Sequence, residues 1–129
     1  MGRLTGRVAW VTGSSRGIGR VVADHLASLG ANVVIHGTTP TSTQQLGEGD
    51  SLTALADEIA QVHNTEVLPV HGDLTDEAVV AGNVADIRER FGKIDILINN
   101  AGGDIGSKGV TAENAGKPVQ NDAIHIPLE

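Results

Sequence analysis

The sequence of 129 residues contains no cysteine and no tyrosine, one tryptophan and one phenylalanine, and only 9 lysines and arginines against 16 aspartates and glutamates. Without cysteine there is no disulfide and no thiolate for a metal, which is compatible with a reducing compartment. A formal charge of −7 and a pI near 5.1 repel phosphate backbones and anionic bilayers, so neither nucleic acid nor a membrane surface is an expected partner. The histidines, His25, His36, His63, His71 and His125, never stand as an i, i+4 pair on a helical pattern, and no metal site is expected. No apolar run reaches the length of a membrane span, and residues 1–6 lack the apolar core of a signal peptide, so the expected location is the cytoplasm.

The residues that are present, 40% of them hydrophobic, suffice for one domain with a modest core. A strand is expected over 7–12, then a helix over 17–29 with Ile18, Val21, Val22, His25 or Leu26, and Leu29 on its apolar face and Gly30 as its stop. The apolar run 32–35 has the character of a strand buried on both faces of a parallel sheet. Ser51 is placed to cap a second helix carrying Leu52, Leu55, Ala56, Ile59 and Val62 on one face. A third strand follows at 67–70, and a third helix opens at Thr75 and runs to Phe91, with Gly92 beyond it. Asp86, Arg88, Glu89 and Arg90 form its solvated face. The fourth strand is 94–98. Strands alternating with helices in this way predict an α/β fold: a Rossmann-type doubly wound parallel sheet in three αβα layers, truncated after the fourth strand.

The first strand runs straight into a turn holding Gly13, Gly17 and Gly19, and that turn opens the first helix. Glycine can take φ > 0 and lets a ligand approach the backbone, while the first helical amides lack internal partners and sit at the positive end of the dipole. A phosphate fits there without any charged side chain. The spacing is G-x-x-x-G-x-G rather than the G-x-G-x-x-G of the common dinucleotide fingerprint.

With Thr12 in front, the turn reads Thr-Gly-x-x-x-Gly-x-Gly; Asp73-Leu74 follows the third strand and Asn99-Asn100-Ala101-Gly102 the fourth. In this order the three features resemble the short-chain dehydrogenase/reductase family, over residues 4–102. The resemblance implies a dinucleotide-binding region at 1–102, with 103–129 a loop leading to a missing C-terminal catalytic half. It also implies an NADP(H)-dependent oxidoreductase that moves hydride to or from a carbonyl or alcohol substrate, and a homo-oligomer, dimer or tetramer, when complete. The implied cofactor contacts begin with Gly13, Ser15, Arg16, Gly17, Ile18 and Gly19 in the glycine turn, and His36 and Thr38 at the end of the second strand. Asp73 would accept from the adenine amino group, the Leu74 amide would serve the ring, and Asn100, Ala101 and Gly102 would line the adenosine ribose and pyrophosphate side.

NADP(H) is expected over NAD(H) because no carboxylate lies between His36 and Glu48, where an acid would hydrogen-bond a free ribose 2′-hydroxyl and repel a 2′-phosphate. Arg16 can offer phosphate a planar guanidinium. The resemblance also brings an active-site Tyr-x-x-x-Lys, and this chain has no tyrosine. No catalytic residue is therefore assigned; Ser107-Lys108 lies in the tail and matches no family position. The missing tyrosine keeps open a non-catalytic NADP(H)-binding sensor or regulatory module. A remoter alternative is a serine hydrolase, with Ser15 in a G-x-S-x-G elbow and Asp73 and His125 following in chain order. The open edge of a sheet ending at 94–98 predicts that the chain alone is weakly folded or associates.

Overall fold

The computed structural model describes residues 2–40 and 51–101. The elements in chain order are β1 (Val8–Val11), α1 (Gly17–Ser28), β2 (Asn32–Gly37), α2 (Leu52–His63), β3 (Val67–His71), α3 (Glu77–Phe91) and β4 (Ile96–Ile98). The strands form one parallel sheet in the order β3-β2-β1-β4. Pro69, which has no N–H to give a ladder, lies on β3 at one edge of the described sheet, opposite Ile35, where proline is tolerated.

Alternation along each strand sends neighbouring side chains to opposite faces. On one face Val11, Val33 and Ile35 pack with Ala23 and Ala27 of α1 and Leu52, Leu55, Ala56 and Ile59 of α2. On the other, Val8, Trp10, Val34 and Val70 pack with Ile87 of α3. Helices thus cover both faces of the sheet, which is the three-layer, doubly wound arrangement of Rossmann-type proteins.

Several expectations shift in detail. The first helix does not bury Ile18 or Val21, which are 76% and 68% exposed; Gly19, Ala23 and Ala27 face the sheet instead, because a stripe of small residues lets the helix backbone come close. Val62 likewise faces out, at 68% exposed. The second strand runs two residues further than the apolar run, since His36 and Gly37 pair with Val70 and His71. The third helix starts after Asp76, whose side chain accepts from the Ala78 amide at 2.9 Å. Thr75 belongs to the turn before it, donating its N–H and Oγ1–H to Asp73 Oδ1 at 2.9 and 2.7 Å. The fourth strand is shorter than 94–98: Ile94 is 39% exposed, and Asp95 ties to Val8 ahead of the ladder. Ser51 does cap α2, accepting from the Ala54 amide at 3.0 Å. Residues 102–129, with Gly102, Ser107, Lys108 and His125, lie outside the described residues.

Candidate cofactor-binding site

In a parallel sheet the loops that follow the strands gather along one edge, and here they are 12–16 after β1, 38–40 after β2, 72–76 after β3 and 99–101 after β4. The chain leaves β1 toward β2 and β3, then crosses back to place β4 on the other side of β1. Such a reversal opens a crevice beyond the carboxyl ends of the strands, where ligands of open α/β sheets bind.

The three glycines of the first loop meet three different demands. Gly13 has φ +63°, and a Cβ there would lie 2.9 Å from Ala101 Cα. Gly17 has φ +61° with nothing within 4 Å of a Cβ, so its side chain position is open space. Gly19 has an ordinary φ, but a Cβ would strike Gly13 O and lie 2.5 Å from Asn100 Nδ2. Arg16 occupies the N-cap of α1 in extended conformation, with no side-chain cap bond and no acid in the first turn. The amides of Ile18 and Gly19 have no acceptor among the described residues. An anion is the partner that geometry accommodates.

Two hydroxyls and an imidazole hold this loop in place. Thr12 Oγ1 accepts from the amides of Asn100 and Ala101 at 3.1 and 3.0 Å and donates to Ile98 O at 3.3 Å. Asn100 Nδ2 donates to Gly13 O at 3.0 Å. Ser14 Oγ donates to Val11 O at 2.7 Å and accepts from the His36 amide at 2.8 Å, while the Ser14 amide donates to His36 O at 2.8 Å. Neither Thr12 nor Ser14 is legible as a site residue from sequence beyond its place beside Gly13.

His36 is only 3% exposed. Its Nδ1 accepts from the Gly13 amide at 3.0 Å, and its Nε2 lies 2.9 Å from Gly72 O. With both ring nitrogens occupied by backbone, the side chain serves the loop rather than offering itself to a ligand. Burial holds its pKa below the ordinary imidazole value, against the raising effect of the Gly72 bond, and nearby His71 adds to the lowering.

Thr38 is exposed just beyond β2, and no carboxylate accompanies it before Pro40. Asp73 is exposed as well; its bonds to Thr75 hold its carboxyl below the usual carboxylate range. Both of those bonds use Oδ1. The Leu74 side chain packs against the α3 layer, and its amide has no acceptor among the described residues. Ala101 is exposed and Asn100 half-buried beside Gly13. Ser15, by contrast, is 6% exposed, and the imidazole nearest the loop is spent on Gly13 and Gly72. That is not the exposed nucleophile an elbow presents. Among the described residues there is no cluster of metal-ligating side chains, and no helix long and apolar enough to cross a membrane.

The family model for short chain dehydrogenases matches residues 7–126. The chain belongs to the short chain dehydrogenase family. Among curated members of that family it is 39% identical over 100 residues to the 3-oxoacyl-acyl-carrier-protein reductase FabG of Aquifex aeolicus, covering 78% of this chain and 37% of that protein. Among solved structures, the L-sorbose reductase of Gluconobacter frateurii complexed with NADPH and L-sorbose superposes with a TM-score of 0.67 at 34% identity, over 79% of this chain and 35% of that one. A metagenomic short-chain oxidoreductase in complex with NADP gives 0.64 at 35% identity, over 77% and 40%. The chain therefore spans little more than a third of the length of these short chain dehydrogenases.

Proposed function

We propose that this chain is the NADP(H)-binding part of an oxidoreductase that moves hydride between the nicotinamide and a carbonyl or alcohol substrate. The reading is carried by the start of α1. There the Ile18 and Gly19 amides have no acceptor among the described residues, no acid stands in the first turn, and the space beside Gly17 is open. A pyrophosphate satisfies those donors and complements the helix dipole. Thr38 and Arg16 at the adenosine end favour a 2′-phosphate over a free hydroxyl, since nothing acidic lies at the end of β2. Asp73, Leu74, Asn100, Ala101 and Gly102 complete the binding set.

When bound, the cofactor supplies the hydride. The chain's own part is to bind and orient it. With no tyrosine in the sequence, no residue here stands as the acid that protonates a carbonyl oxygen, and the chain alone is inactive in this reading. A soluble homo-oligomer completed by further residues is the assembly in which turnover occurs. The same absent tyrosine supports a second reading, a binding module that senses NADP(H) without chemistry.

Calorimetric titration of the chain with NADPH and NADH tests the proposal. NADPH binds more tightly, and Arg16→Glu or Thr38→Asp weakens NADPH about tenfold or more, the scale of one charge-assisted hydrogen bond lost. Absence of NADPH uptake overturns the assignment; equal losses for NADPH and NADH overturn the choice between them. NADPH-dependent carbonyl reduction on supplying the family's remaining half in trans separates the enzyme from the sensor.

A further inference from the structure

We propose that His36 is a positioning residue, a neutral imidazole protonated on Nε2 that latches the Gly13 turn to the turn after β3 and so fixes where the α1 amides point. The inference rests on the NADP(H) reading for its consequence, but not for its geometry.

The tautomer follows from the two partners. Gly13 presents an N–H, so Nδ1 must accept, at 3.0 Å. Gly72 presents a carbonyl oxygen, so Nε2 must carry the proton and donate it, at 2.9 Å. A neutral imidazole has one donor and one acceptor, and here each meets its complement. A doubly protonated ring would turn Nδ1 into a donor facing the Gly13 N–H, and the contact would become repulsive. Burial to 3% exposure opposes that charged form as well.

The ring adds a side-chain tie to loops that backbone bonds also join: the Gly72 amide donates to Gly37 O at 3.1 Å. The His36 amide donates to Ser14 Oγ, and its carbonyl accepts from the Ser14 amide, both at 2.8 Å. Backbone and side chain of one residue thus hold Gly13 and Ser14 from the β2 side, while Thr12 Oγ1 and Asn100 hold the same turn from the β4 side. Gly13 O, in turn, is the atom against which Gly19 packs. A displacement of Gly13 is therefore passed directly to the first turn of α1. Gly72, the other partner, immediately precedes Asp73, so the same ring sets the spacing between the phosphate loop and the adenine side of the crevice.

Two substitutions separate the two bonds. In His36→Asn, Oδ1 takes the place of Nδ1 and can still accept from Gly13, whereas His36→Gln places an amide near Nε2 and keeps only the Gly72 contact. The chain and both variants are titrated with NADPH. In parallel, 15N NMR of the imidazole reads the tautomer, and hydrogen exchange reads the Gly13 amide. NADPH affinity falls about threefold for His36→Asn, which keeps the Gly13 bond and loses the Gly72 one, and about tenfold or more for His36→Gln, which leaves the buried Gly13 donor unsatisfied. Nδ1 is unprotonated at neutral pH, and Gly13 exchange accelerates in the Gln variant alone. A ring protonated on Nδ1, or equal Gly13 exchange in all three proteins, overturns the latch. Absence of NADPH binding to the unmodified chain, with the NMR and exchange results as stated, overturns the cofactor reading and leaves the latch standing.

Discussion

Gly17 and Gly19 sit two residues apart and are glycines for unlike reasons, which makes their alanine variants informative. At Gly17 the demand is conformational: φ is +61° and a Cβ meets nothing, so Gly17→Ala costs about 1–2 kcal/mol of strain without disturbing the packing. At Gly19 the demand is steric: a Cβ would meet Gly13 O and Asn100 Nδ2. Gly19→Ala therefore pushes α1 away from the strand ends, at a cost of about 1–3 kcal/mol. Urea denaturation measures both losses. NMR of the Asn100 side-chain amide tells them apart, since only Gly19→Ala disturbs its bond from Nδ2 to Gly13 O. His36 gives the residue scale a pH signature. Its imidazole ionises near pH ~6.5 when unfolded, while burial lowers that value in the fold. Above about pH 6.5 both states are neutral and its contribution is fully present; below it the unfolded chain takes up a proton that the fold resists, so stability falls as pH drops toward the lowered value. The urea midpoint, followed from about pH 7.5 down to 5.5, declines in the parent chain and less in His36→Asn.

Among the elements, β4 owes its register to a residue outside it. Asp95 Oδ2 accepts from the Val8 amide at 2.8 Å, the Asp95 amide donates to Val8 O at 2.8 Å, and Lys93 and Arg7 stand 3.1 and 3.7 Å from the carboxylate. The Val8 bond first, then Lys93, keeps its carboxyl below the usual aspartate range, so its help is present at neutral pH and is lost in acid as pH falls through the lowered value. Asp95→Ala loosens the β1–β4 pairing, read as faster exchange of the Val8 and Thr12 amides with β1–β2 amides unchanged; equal exchange at Thr12 would show that the ladder holds β4 unaided. The seven elements were legible in sequence because β-branched runs and helix caps alternate with the right lengths. What misled was α1, where large apolar residues at helical spacing suggested a buried face. The sheet in fact takes Gly19, Ala23 and Ala27, a choice set by how near the helix must lie, which periodicity does not encode. The glycine turn, Asp73 and Asn100 were legible as motifs. The inward roles of His36, Thr12 and Ser14 were not, because each depends on a strand 20 or more positions away.

At the scale of the whole molecule the two faces of the sheet are covered unequally. Among the described residues, two helices pack on the Val11, Val33 and Ile35 face, and one, α3, on the Trp10 and Val34 face. Leu97 pairs in register with Trp10, so its side chain shares that face, yet it is 51% exposed, and Ile94, just before β4, is 39% exposed. β4 also has only one neighbour among the described strands, and no other described strand pairs with the backbone groups along its far side. An apolar patch joined to an open edge strand is the combination that pairs with another chain. The net charge of −7 opposes association only over roughly a Debye length, about 8 Å at physiological salt, and so does little once two such patches touch. The 129-residue chain is therefore expected to self-associate with rising concentration, with a melting temperature that depends on concentration. Leu97→Lys, which places a charge on the patch at a half-exposed position, shifts the weight-average mass in sedimentation equilibrium toward the monomer. A cooperative, concentration-independent melt of a monomeric parent chain would show instead that α3 and β4 close the face by themselves.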